Sequence, residues 1–134
     1  MSMRTAVEEI AVDTEEQLAS GLWRLTDGDR AIAERLWTLL GRPADGSMSL
    51  AGRMLRLREA LAVVAMAAAL SRGQLARVLN RCAVVFSPLL QWRTEPVGLR
   101  VVPDVLIVHS DHVNDAEQAL TRLRSLVATV KERA

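Results

Sequence analysis

The chain is short of nearly everything that marks a catalytic or extracellular protein. It has no tyrosine, three tryptophans and one phenylalanine in 134 residues, and a single cysteine and two histidines. So few rings argue against a base-stacking RNA platform or an aromatic-lined sugar site. One cysteine excludes an internal disulfide and any cysteine-based zinc cluster. Cys82 lies on the apolar face of an expected helix, which reads as a buried thiol. Two histidines rule out a three-histidine metal site, and no glycine-rich phosphate loop occurs. The longest apolar run, Ala60 to Leu70, has eleven residues, far short of the roughly 20 that cross a bilayer. The start, MSMRTAVEEIAV, is acidic and lacks the apolar core of a secretion signal, so a cytoplasmic protein is expected.

What is present is a helical pattern. Half of the residues are hydrophobic, enough for a real core, and the whole of 1–134 reads as one helical domain. The fold class expected is mainly α with a minor β element: about five helices around a central buried helix. Residues 1–12 read as a loose arm, followed by a helix capped by Asp13 or Thr14 with a stripe of Leu18, Leu22 and Leu25. A second helix, about 28–40, starts from a cap in Thr26–Asp29. It buries Ile32, Leu36, Leu39 and Leu40 and stops at Gly41, with Pro43 just beyond. Residues 43–47 are the most loop-like stretch. Ser47 or Ser49 then caps a long helix to about Ala69, whose apolar second half makes it the expected central post.

Ser71 and Gln74 have the spacing of a capping box, which would open another helix at Ser71. There Leu75, Val78, Leu79 and Cys82 form a buried stripe, and Arg72, Gln74, Arg77, Asn80 and Arg81 take the other face. Ser87-Pro88 ends it. Beyond lies an expected β-hairpin over 91–108, turning at Glu95–Gly98, with Val105–Val108 as a buried strand. The last helix, 114–132, is capped by Asn114 with Glu117 completing a box. Ala116, Ala119, Leu120, Leu123, Leu126, Val127 and Val130 line one face. That stripe is also spaced like a short heptad seam, which makes it the expected contact of a homodimer.

Charge is unevenly spread. Residues 1–50 carry five basic and nine acidic side chains, 51–100 eight and two, and 101–134 four and five. All eight basic residues of the middle block are arginine, whose planar fork suits phosphate and guanine. Pairing with the acidic N-terminal region would explain the same distribution.

Residues 61–82 resemble the helix-turn-helix of DNA-binding repressors. Ala65 stands where the two helices touch, Leu70 and Ser71 in the turn, and Leu75 and Val78 facing the core. The turn position usually held by glycine is Ala69 here. The resemblance implies a second helix lying in the major groove. Gln74, Arg77 and Asn80 would then face bases, with Arg72, Arg81 and Arg93 on phosphates. A hairpin after it would add a wing. DNA is thus the expected partner and transcription regulation the expected role. The alternative is a non-enzymatic helical module that binds protein, as a homodimer or adaptor. A metal-dependent hydrolase is a minor third reading, resting on His109, Asp111, His112 and Asp115 after an apolar strand. No catalytic residue, metal or other cofactor is assigned.

Overall fold

Three helices begin where a hydroxyl stands ready to accept an orphan backbone N–H. Ser2 caps α1 (Met3–Ser20), accepting from the Thr5 N–H at 3.1 Å. Thr26 caps α2 (Asp27–Leu40) in a full capping box: its Oγ1 accepts from the Asp29 N–H, and Asp29 Oδ2 accepts from the Thr26 N–H, both at 3.0 Å. Ser49 caps α3 (Leu50–Leu70) through the Gly52 N–H at 3.1 Å. Helix α4 (Gly73–Phe86) follows, then a 3₁₀ turn at Ser87–Gln91 opened by Pro88, and α5 (Ser110–Glu132). Two short strands, β1 (Trp92–Arg93) and β2 (Leu106–Ile107), lie between. This computed structural model describes residues 1–41, 48–93, 106–107 and 110–133. The loop expected at 43–47 lies outside them.

The fold is mainly α with a small β element. Helix α5 packs against α1, α2 and α3, while α4 packs against α3 and α1. One core cluster joins all five helices. Among the described residues, no helix is long and apolar enough to cross a membrane.

Several boundaries differ from expectation. The loose arm is helix: Val7, Ile10, Ala11, Thr14 and Leu18 form one buried stripe, and α1 runs unbroken from Met3. Leu22 lies beyond that helix, exposed. The run 60–70 is not buried on most sides. Ala60, Leu61, Val64, Ala67 and Ala68 face the core, but Ala62, Ala65, Met66, Ala69 and Leu70 are exposed. Ala65 therefore does not sit between the two helices. The hairpin of 91–108 is replaced at its described ends by a parallel pair, Trp92 with Leu106 and Arg93 with Ile107, which no tight hairpin turn can join. Residues 94–105 lie outside the description.

Helix α5 starts four residues before Asn114, so the Asn114–Glu117 box is not a cap. Both side chains instead hold Arg53 of α3: Nη2 donates to Asn114 Oδ1 at 2.5 Å, and Nε donates to both Glu117 oxygens at 3.1 Å. The stripe of α5 that was expected to form a dimer is the domain's own core. Val113, Ala116, Ala119 and Leu123 are fully buried, with Leu126, Val127 and Val130 nearly so. A dimer through it would have to open the fold.

The Ser71–Gln74 capping box does not form. Ser71 is buried, and its Oγ donates back to the Ala67 carbonyl at 2.6 Å. Arg72 is the N-cap of α4 and makes no side-chain cap bond. The reversal falls at Gly73, whose φ of 60° is in the left-handed region, while Ala69 is ordinary helix. A Cβ at Gly73 would meet open space, so replacing it carries a conformational cost alone. Gly73→Ala should therefore lower stability in a denaturant titration by about 1–2 kcal/mol. Ala69→Gly should also destabilise, by up to about 1 kcal/mol. A stabilising Ala69→Gly would show that the turn had been placed wrongly.

Candidate functional site

Two surfaces concentrate the unpaired side chains. The first is the outer face of α4. Leu75, Val78, Leu79, Cys82 and Phe86 are buried, so helical geometry turns Arg77, Asn80 and Val84 outward together. All three are exposed, as is Arg72 before the helix. The other two expected α4 contacts are engaged by α1 instead. Arg81 pairs with Asp13 at 3.2 Å, and Gln74 Nε2 donates to Gln17 Oε1. Arg93 lies in β1, away from this helix in sequence, and the description does not extend to its side chain. The structure thus brings Arg72, Arg77, Asn80 and Arg81 onto one exposed side of the α3–α4 turn and α4. It also sets a carboxylate at the edge.

Cys82, on the opposite face of α4, is fully buried. Burial pushes its thiol up to about 12, with Arg81 pulling weakly the other way. The thiolate that nucleophilic chemistry needs is absent at neutral pH.

The second surface went unseen in the sequence. Between α2 and α3 runs a groove of about 380 Å³ lined by Ile32, Leu36, Leu39, Val63, Met66, Ala67 and Leu70, with Arg35 its one charged residue among those described. Leu39, Met66 and Leu70 are 57%, 58% and 69% exposed. Leu39, expected in the core, instead lies one helical turn past Arg35, on the outer part of α2. The signal that could have found the groove is the width of α3's apolar pattern. A helix with apolar residues around most of its circumference needs cover on more than one side.

The candidate metal residues are dispersed in role. Asp115 accepts the backbone N–H groups of Met3 at 2.9 Å and Arg4 at 3.3 Å, so it serves the start of α1. His112 is exposed, its ring 6.0 Å from that of Trp92, and Asp111 is exposed. His109 lies outside the described residues. Among the described residues, no group of His, Cys, Asp and Glu is placed to hold a metal ion.

No protein-family model, curated protein or solved structure matches this chain.

The Cys82 environment has a direct test. At pH 8 the folded protein should not react with Ellman's reagent over minutes, whereas one thiol should react at once in guanidinium. The linkage follows from the raised value: burying the neutral thiol stabilises the fold fully below the ordinary thiol range, and this contribution is lost as pH rises towards 12. Rapid labelling of the native state would contradict the buried placement.

Proposed function

We propose that this chain is a non-enzymatic helical interaction module of the cytoplasm, engaging an apolar helical segment of a protein through the face shared by α2 and α3. The observation that carries this reading is the clustering of Leu39, Met66 and Leu70 around one groove. Single exposed leucines are ordinary on protein surfaces, but contiguous ones mark contact sites. Side chains of two packed helices above an apolar floor suit the stripe of a further helix. Among the described residues Arg35 is the only titratable group in the lining, so they supply the groove with no acid–base pair for chemistry.

Site-specific photo-crosslinking tests it. With p-benzoylphenylalanine in place of Leu39, illumination in cells should give a discrete protein adduct. The same probe in place of exposed Glu16 should not. Leu70→Glu should abolish the adduct without loss of helix content, because Leu70 is largely exposed. Absence of any adduct from position 39 would end the reading.

A second reading, DNA binding and a regulatory role, is favoured by the exposed Arg72, Arg77 and Asn80 beside Arg81. It ranks second because Asp13 and Gln17 of α1 already engage Arg81 and Gln74. Fluorescence anisotropy separates the two. The interaction reading expects binding to pooled DNA fragments no tighter than millimolar at low salt. DNA recognition instead requires steeply salt-dependent binding. Arg72→Ala would then weaken all sequences alike, and Arg77→Ala would cost roughly 1–3 kcal/mol on a preferred site only.

A further inference from the structure

We propose that the surface where Trp37 of α2 meets the outer face of α5 is a phosphate-binding site, with Arg124, Ser125 and Lys131 holding the oxygens of a phosphate group. This goes beyond the interaction reading and stands apart from it, since the hollow at Trp37 and the α2–α3 groove share no lining residue.

The first argument is geometry. Thr121, Arg124, Ser125 and Ala128 recur at the spacing of one helix face, and with Trp37 they line an open hollow of about 220 Å³. Lys131 follows Ala128 on the same face of α5. Arg124 Cζ lies 4.0 Å from the centre of the Trp37 ring, and Lys131 Nζ lies 4.7 Å from it. One ring thus gathers two cations from different turns of α5. A guanidinium stacked on an indole is held in a fixed plane, which presets its fork of donors for an oxyanion.

The second argument is the acceptor these donors lack. Arg124 Nε is buried and makes no hydrogen bond among the described residues. An aromatic face is a weak acceptor and does not replace one. Two cations drawn to one ring also repel each other. Among the described residues, the one carboxylate within ion-pair range of either is Glu132, 3.6 Å from Lys131, and water screens it because its side chain is 71% exposed. Tying α2 to α5 would need only one of the two cations and would leave the buried Nε unsatisfied. Buried donors in folded proteins nearly always have a partner, so a ligand is the missing one. Thr121 adds no donor, because its hydroxyl already donates to the Glu117 carbonyl at 3.0 Å. The exposed Ser125 hydroxyl makes no hydrogen bond among the described residues. A carboxylate would be satisfied by the Arg124 fork alone. A phosphate monoester carries three outward oxygens, one for each of Arg124, Ser125 and Lys131. An open hollow admits that group free, on a small molecule, or on a phosphorylated serine of a protein.

Titration of the nitrogen-15-labelled full chain with inorganic phosphate, followed by NMR at constant ionic strength, tests this. The Trp37 indole and Arg124 Nε signals should shift saturably, with a Kd of about 1 mM or tighter, while chloride leaves them in place. Lys131→Gln should weaken binding about tenfold and Ser125→Ala about two- to tenfold, both with an unchanged circular dichroism spectrum. Arg124→Lys keeps the charge but loses the fork, and should weaken binding by about tenfold or more. Three further probes assign the carrier: glycerol phosphate, a phosphoserine tripeptide and the same tripeptide without phosphate. A tighter phosphotripeptide points to a phosphorylated protein, tighter glycerol phosphate to a small ester, and equal affinities to phosphate itself; each supports the site. No saturable shift by about 20 mM phosphate would overturn the proposal. So would acetate or the unphosphorylated tripeptide binding as tightly as phosphate, or Ser125→Ala and Lys131→Gln both binding like wild type.

Discussion

Burial of helix α5 is the constraint that the rest of the fold serves. Its stripe is apolar for its whole length, and four of its residues admit no solvent at all. Fully burying a single leucine contributes about 1.5–3 kcal/mol, so Leu123 and Leu126 alone outweigh any surface pair in the molecule. Covering the stripe requires helices from the other end of the chain. Ala116 and Ala119 keep α5 thin in the half where Asp115 meets the start of α1. Further along, Leu123, Leu126, Val127 and Val130 meet Trp23, Leu36 of α2 and Leu75 and Leu79 of α4 around almost no empty space. Side chains from four separate segments thus share one packed centre. A large-to-small change there would leave a void that none of them could close alone.

Polar groups fix the orientation that burial leaves open. Asp115 accepts the first backbone N–H groups of α1, and Arg133 Nη2 donates to the Leu18 carbonyl near its end at 3.2 Å. Between these, Arg122 of α5 pairs with Glu8 at 2.5 Å and also with Glu15. Burial works against that guanidinium, but its bonds to Glu8 and Glu15 more than offset this and hold it further in the charged form. Arg53 is likewise raised, by its hydrogen bonds to Glu117. This changes the meaning of the charge distribution. Among the described residues, three of the nine acidic side chains in 1–50 pair with basic residues of other elements: Glu8 and Glu15 with Arg122, and Asp13 with Arg81. Within the arginine-rich middle block, Arg53 and Arg81 are held by Glu117 and Asp13, and both are subtracted before the block is read as a nucleic-acid surface. After subtraction, Arg72 and Arg77 remain exposed.

Where a local signal and its partner lie within one turn, the sequence was legible. Thr26 with Asp29 opens α2, Ser49 opens α3, and the buried stripes of α4 and α5 follow the expected spacing. Failures came where a long-range partner redirected a group that had a plausible local use. Asn114 and Glu117 look like a cap, but Arg53, more than sixty positions earlier, takes both. Ser71 and Gln74 look like another, but a buried Ser71 bonds back into α3 and Gln74 reaches Gln17. The first turn of α1 is satisfied by Asp115, 112 residues beyond Met3, which no local reading of residues 1–12 could include. The candidate site shows the same division. Exposure of Arg77 and Asn80 followed from helical spacing, whereas the groove needs α2 and α3 to be side by side, a tertiary fact.

The exposed apolar residues themselves discriminate between surfaces. Leu22, Val84 and Leu90 are each more exposed than Leu39. They belong to three different segments and line no common cavity among those described, so they imply nothing beyond the ordinary apolar content of a surface. Leu39, Met66 and Leu70 differ in being neighbours on two packed helices, over a floor that continues into the core through Leu36 and Ala67. Hydrophobic burial is non-directional, so isolated residues gain little from any one partner, while a contiguous set gains only from a partner that matches its shape. The apolar pattern of α3 divides on the same logic: Met54, Leu57, Leu61, Val64 and Ala68 are buried by the fold, while Met66 and Leu70 form one wall of the groove.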